Sequence, residues 1–332
     1  MAGHAYITDC EGPVSKNDNA YEIAEAFLQE GGRFFALLSK FDDYLGDIEK
    51  SVGYRYGSTL KYILPFLKAA GLTDREATEF SAGHVTIMNG VRGAFSRINK
   101  AMPIYMVSTS YVHYVEAVCR YLDLSMDAVY CTRLSFDGYH MGEEEKHAVM
   151  GYFRRFLELP PISWDDAGGL DDASAGAIRV LKDFFFSVLP SMPVWRWVEP
   201  VLPIGGEGKA QAVAHIVTRG AISMEDVIYV GDSITDVAAL ELVRREGGLS
   251  VSFNGNRYAI MSAEYSVVAR DASVLGTIAE AFREGGKDRI GTGDYGDGAQ
   301  VFKKDSTDPA YVTVLSERTR KEVRGQAIGE LG

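Results

Sequence analysis

Cysteine is scarce. Cys10, Cys119 and Cys131 are odd in number, widely spaced, and form no CxxC or Cys/His cluster among 332 residues. That excludes a disulfide scaffold and a zinc ribbon, and it suits a reducing cytoplasm. Clustered basic residues are missing as well. With a formal net charge of −12 and no run of Lys or Arg, the chain lacks the surface that neutralises phosphates, so no nucleic-acid partner is expected. Long apolar runs are absent too. The most apolar later stretch, 183–204, contains Phe184, Phe185, Phe186 and Trp195, but Pro190, Pro193, Pro200 and Pro203 break it, and it carries Arg196 and Glu199. It reads as a buried or subunit-contacting segment, not a membrane span, and leaves a homodimer open. The amino terminus enters the first strand with no basic segment or apolar signal core, which again points to the cytoplasm.

What is present begins at Ala5-Tyr6-Ile7-Thr8-Asp9-Cys10-Glu11-Gly12-Pro13. A β-forming run ends in two acids one residue apart, and Gly-Pro then breaks the strand at its carboxyl end, where an open α/β sheet carries its chemistry. Apolar spacing predicts helices over most of 14–89. A capping box is expected at Asn19 and Glu22 and another at Thr73 and Glu76, a loop at Gly53–Gly57, and an interruption at Pro65. Alternating α/β order returns with a helix at 90–100 and the buried run Ile104-Tyr105-Met106-Val107, which stops at Ser108-Thr109-Ser110. Residues 129–134 and the turn Phe136-Asp137-Gly138-Tyr139 predict a small hairpin.

A second, irregular insertion spans 142–203, with helices through Val149 and Phe153 and through Ile178 and Leu181 separated by a polar linker at 165–172. A helix from Glu207 then leads to the strand Val227-Ile228-Tyr229-Val230 and to Gly231-Asp232-Ser233-Ile234-Thr235-Asp236, before further strands at 249–253 and 265–269. The Gly-rich tail, 286–332, reads as an appendage with late helical character near 316–324. Within it Gly291–Gly296 matches GxGxxG formally, but without a preceding strand it reads as flexible tail. Gly205–Ala210 suggests a phosphate-binding loop only superficially, because Ala210 stands where a metal-binding Ser or Thr belongs. The six histidines show no metal or nucleophile-pairing spacing.

Asp9 with Glu11, Ser108, Lys209, and Asp232 with Asp236 therefore sit at strand ends or helix starts, in order, and together they resemble the haloacid-dehalogenase-like phosphohydrolase superfamily. Tyr229–Asp236 matches the family's strand-GDSxxD pattern at every position. The resemblance implies a Rossmann-like α/β parallel sheet core (1–13, 90–141 and 204–285), an inserted helical cap (14–89), and a smaller, mostly helical insertion (142–203). It further implies a Mg²⁺-dependent phosphatase in which Asp9 is the nucleophile and Glu11 the acid/base. Lys209 would supply positive charge and Ser108 a hydrogen bond to a phosphoryl oxygen, a role that Thr109 or Ser110 could take. The implied metal ligands are the Asp9 side chain, the Glu11 backbone carbonyl and Asp232, with Asp236 supporting them from behind.

The second acid departs from the commoner Asp-x-Asp of the family. Relatives with Asp-x-Glu-Gly include competent enzymes, a phosphotransferase among them. Asp-x-Glu-Gly-Pro followed by Asp18-Asn19-Ala20-Tyr21-Glu22 also resembles an archaeal group of predicted hydrolases. A closing cap implies a small phosphorylated metabolite as substrate, with Glu22, Arg55 or Arg92 at its non-phosphate end. Transfer to an acceptor alcohol is the alternative within the enzyme class. A non-catalytic subunit or sensor in a larger assembly is the alternative outside it.

Overall fold

The structure is a computed structural model that describes residues 3–51, 54–165 and 167–329. Gly53 of the expected loop and Asp166 of the polar linker lie outside the described residues. Strands β1 (Ala5–Thr8), β2 (Ile104–Tyr111), β3 (Val129–Thr132), β4 (Val227–Gly231), β5 (Leu249–Phe253), β6 (Tyr265–Val268), β7 (Gly293–Asp294) and β8 (Gln300–Lys303) form one sheet in the order β3-β2-β1-β4-β5-β6-β8-β7. The six strands from β3 to β6 run parallel, and β8 and β7 close the far edge in antiparallel fashion.

Both faces of the parallel part are covered, which is why its strands read as continuous apolar runs. Alternation sends Tyr6, Met106, Ile228 and Val230 into the core on one face and Ile7, Val107, Val227 and Tyr229 into the core on the other. The central strand β1 has β2 on one side and β4 on the other. Its connection to β2 crosses to one side and β4 then pairs on the other, so the carboxyl ends of these three strands border the crevice where such sheets bind ligands.

The two insertions share a single apolar core. In the first, α1 (Asn19–Phe27), α2 (Gly31–Asp43) and the helix Leu64–Ala69 supply Ile23, Phe34, Phe41 and Phe66. Phe153, Phe156, Phe184 and Phe185 of the second pack into the same cluster. Phe34 sits edge-on to Phe66 at 4.8 Å and to Phe153 at 4.9 Å between ring centres, geometries that aromatic quadrupoles favour. The Tyr111 hydroxyl, at the end of β2, donates to the Leu60 carbonyl at 2.5 Å and ties this body to the sheet.

Three expectations are corrected. Residues 129–132 form a parallel edge strand on β2, and 136–138 a tight helical turn, because the apolar Val129 and Cys131 are buried beside β2 and leave no second strand to pair with. The N-cap of α1 is Asp18, whose carboxylate accepts from Tyr21 N, rather than Asn19, while the box at Thr73 and Glu76 forms with both of its bonds. Finally, the tail is no appendage. β8 pairs with β6 along four residues, and the helix Pro309–Arg324 buries Val312, Ser316, Thr319 and Arg320 against the core. Among the described residues no helix is long and apolar enough to cross a membrane.

Candidate active site

Asp9 leaves β1 at the centre of the crevice and is 5% exposed. Its Oδ1 accepts the Cys10 N–H at 2.7 Å and its Oδ2 meets Lys209 Nζ at 2.6 Å. Burial pushes the Asp9 carboxyl up to about 8, against the opposing pull of Lys209, with Asp236 and Asp232 adding to the rise. Lys209 lies in the first turn of the helix Glu207–Gly220, where the backbone dipole disfavours a cation. The lysine is fully buried, and bonds to Asp9 and to Asp236 Oδ1, the latter at 2.8 Å, hold it charged despite its desolvation.

Asp236 is committed to the protein. Oδ1 also accepts the Tyr229 hydroxyl at 2.7 Å, and Oδ2 accepts Asp232 N and Ser233 N, each at 3.1 Å. Burial opposes its charge, yet Lys209 and these donors hold its carboxyl below the usual range. It therefore fixes the loop that presents Asp232. Carboxylate oxygens of Asp9, Asp232 and Asp236 lie within 4.8 Å of one another.

Glu11 turns toward the cap, where its Oε1 accepts the Asn19 N–H of α1 at 2.7 Å, and burial pushes its carboxyl well above the usual carboxylate range. Ser108 is buried, and its Oγ accepts Ser110 N at 3.1 Å. β2 continues to Tyr111, so the strand's alternation puts Ser108 and Ser110 on one face, and it is Ser110 that lines the cavity. Ser110 Oγ is buried and meets no regular hydrogen-bond geometry, although it lies near enough to Glu11 to favour that group's charged form.

The cavity, of about 120 Å³, is closed on one side by Phe35, Tyr56 and Thr59 of the cap and on the other by Asp9, Glu11, Asp232 and Ser110. Of the residues expected at the far end of a substrate, none lines it. Glu22 binds Asn17 Nδ2 through both oxygens, at 2.8 and 2.9 Å. Arg55 is exposed, and Arg92 stacks on Tyr121 outside the cavity.

Two cavity-lining residues had no motif to announce them. Arg320 and Arg324, four apart on one face of Pro309–Arg324, both reach Asp232. Arg320 Nη1 binds Asp232 Oδ2 and, at 3.1 Å, the Asp232 carbonyl. Arg324 Nη1 reaches Oδ2 at 3.1 Å, while its Nε and Nη2 donate to the carbonyls of Lys16 at 3.0 Å and Asn17 at 2.6 Å. The only sequence signal is the i, i+4, i+8 row Ser316, Arg320, Arg324 on a helix with few apolar residues.

The mostly parallel sheet with helical insertions and this constellation are what the sequence's resemblance to the haloacid-dehalogenase-like superfamily implies. Comparison with solved structures finds a gene product from Archaeoglobus fulgidus similar over 99% of this chain and 99% of its own, at 26% identity and a TM-score of 0.86. A phosphoserine phosphatase holding a phospho-aspartyl intermediate analogue is similar over 84% of this chain and 99% of that one, at 14% identity and a TM-score of 0.49. A phosphoserine phosphohydrolase-like protein from Francisella tularensis covers the same shares, at 17% identity and a TM-score of 0.45. Likenesses as low as the last two say nothing of the chemistry here. No protein-family model matches the sequence, and no curated protein does.

Proposed function

We propose that the protein is a Mg²⁺-dependent phosphatase acting on a small phosphorylated metabolite through an aspartyl-phosphate. The observation that carries this reading is the buried Asp9–Lys209–Asp236 chain at the end of β1, opening onto a cavity that a helical cap closes. The donor set fits a hard divalent cation. Asp9 and Asp232 offer carboxylate oxygens side by side, and Asp236, with its own oxygens engaged, holds them. When bound there with the Glu11 carbonyl, Mg²⁺ would offset charge on the phosphoryl oxygens.

The chain's own groups supply the remaining chemistry. An Asp9 oxygen attacks phosphorus and the ester P–O bond breaks, while the Glu11 carboxyl gives its proton to the departing alkoxide. Burial favours the protonated Glu11 that this step requires. Glu11, now a carboxylate, then takes a proton from water as the water oxygen attacks phosphorus, releasing phosphate and restoring Asp9. Lys209 fixes Asp9, and Ser110 offers its hydroxyl to a phosphoryl oxygen. The cavity's small size favours a compact substrate, and the cap limits bulk water.

The test is phosphate release from a panel of phosphorylated metabolites, with Mg²⁺ or with chelator, for the native protein and Asp9→Asn. Release should require both Mg²⁺ and Asp9, and release that persists without either would overturn the mechanism. Adding acceptor alcohols separates hydrolysis from transfer, since transfer yields a new phosphate ester in place of free phosphate.

A further inference from the structure

Arg324 ends the helix Pro309–Arg324, and its guanidinium joins three stretches that are remote in sequence. Nη1 reaches Asp232 Oδ2 at 3.1 Å, Nε donates to the Lys16 carbonyl at 3.0 Å, and Nη2 donates to the Asn17 carbonyl at 2.6 Å. The side chain is only 6% exposed, so water competes little for these bonds. The helix behind it is strapped to the core by Ser316 Oγ, which donates to the Gly255 carbonyl at 2.7 Å, and by Arg270 on Glu322. A planar fork with donors in fixed directions serves all three acceptors from that base. A lysine ammonium, with its donors on one atom, cannot span them.

The two carbonyls belong to the segment that links the strand-end acids to α1. Residues 14–17 run beside 86–88, with Lys16 N on the Thr86 carbonyl at 2.8 Å and Met88 N on the Val14 carbonyl at 2.9 Å. The buried Asn17 side chain cross-links the pair, accepting Thr86 N at 2.8 Å and donating to the His84 carbonyl at 2.9 Å. Asp18 then caps α1, and the next residue, Asn19, donates the N–H that Glu11 Oε1 accepts at 2.7 Å. The Glu11 carboxyl therefore takes its bearing from the start of α1, directly beyond the backbone that Arg324 grips.

We infer that Arg324 is a positioning residue for the acid/base step: by clamping the Lys16 and Asn17 carbonyls to Asp232 it fixes the start of α1, and through the Asn19 N–H it sets where Glu11 stands relative to Asp9. This role rests on the one given to Glu11 under the proposed function. Arg324→Lys keeps a cation beside Asp232 but releases the carbonyls. A misplacement near 1 Å at a reacting group costs on the order of 10²-fold, so the variant should lose at least about tenfold in kcat, with KM within about twofold of native.

Hydrogen exchange and a double-mutant cycle together test this. In the metal-free full chain, exchange over 14–20 should quicken at least about tenfold in Arg324→Lys. On the phosphate ester that the native protein hydrolyses, the same substitution should cost at least about tenfold in kcat in the native background and less than about threefold in Glu11→Gln, because only an intact Glu11 can be misplaced. Arg324→Gln takes its place if Arg324→Lys loses the circular-dichroism signature of folding. Equal losses in the two backgrounds would show a merely structural arginine and overturn the inference, as would exchange that does not change. Native kcat in Glu11→Gln itself removes the acid/base from the proposed function and overturns this inference with it; quickened exchange would then mark the clamp as structural.

Discussion

Gly12 lies so close to Asp232 that a Cβ on it would fall 2.2 Å from Asp232 Oδ2, and Gly12 holds φ at +102°. Both facts require glycine, one through contact and the other through backbone conformation. Gly12→Ala should therefore push the Asp232 carboxylate away from Asp9. A displacement near 1 Å at such a site costs on the order of 10²-fold in turnover. The check is kcat/KM on whichever phosphate ester the native protein hydrolyses, beside a thermal melt. A variant with native kcat/KM would show that Asp232's position is not critical.

Lys209 offers a second test, because it is fully buried between Asp9 and Asp236. Lys209→Met keeps the length of the side chain and removes the charge, leaving two buried carboxylates without their cation. Breaking a buried pair in this way typically costs roughly 3–5 kcal/mol. Urea unfolding at neutral pH measures it, and a loss well under 1 kcal/mol would mean that water or structural relaxation compensates the acids.

The parallel core and its strand-end acids were legible because each piece has a local signal. An apolar run stopped by small polar residues marks β1, β2 and β4, and Asp236 four residues after Asp232 fixes its own supporting role. What stayed hidden depends on distant partners. Periodicity says that Phe34 and Phe153 are buried, but not that they touch, so the shared core of the two insertions was invisible. β8 and the helix Pro309–Arg324 follow a Gly-rich stretch that reads as tail, and arginines on a polar helix look solvated until tertiary packing buries them. Ser110 was distinguishable from Ser108 only once β2 was seen to extend to Tyr111.

The shared core carries its own prediction. Phe34→Ala removes a ring that meets Phe66 of the first insertion and Phe153 of the second, and should destabilise the protein by roughly 3–5 kcal/mol. Hydrogen exchange should quicken in the helix Glu143–Leu157 as well as in α2. Loss of protection confined to α2 would show that the insertions open independently despite their contact.

Asp42, on the cap wall of the cavity, gives a pH signature. Burial pushes its carboxyl from 3.8 up to about 6, outweighing the bonds it accepts from the Tyr54 hydroxyl at 2.8 Å, Thr59 N at 2.9 Å and the Thr59 hydroxyl at 2.8 Å. The folded chain then holds this proton more tightly than the unfolded one. Between roughly pH 4 and 6 the folded state binds more protons, so stability falls as pH rises; the contribution is complete below the unfolded value and lost above the folded one. Asp42→Asn stays neutral throughout, and its amide can still accept from Thr59 and donate to the Tyr54 oxygen. Relative to the native protein, the variant should therefore gain stability between pH 4 and pH 7, by up to about 3 kcal/mol. Urea midpoints of the two proteins across that range measure the gain. Parallel curves would mean that the three hydrogen bonds, and not burial, govern Asp42.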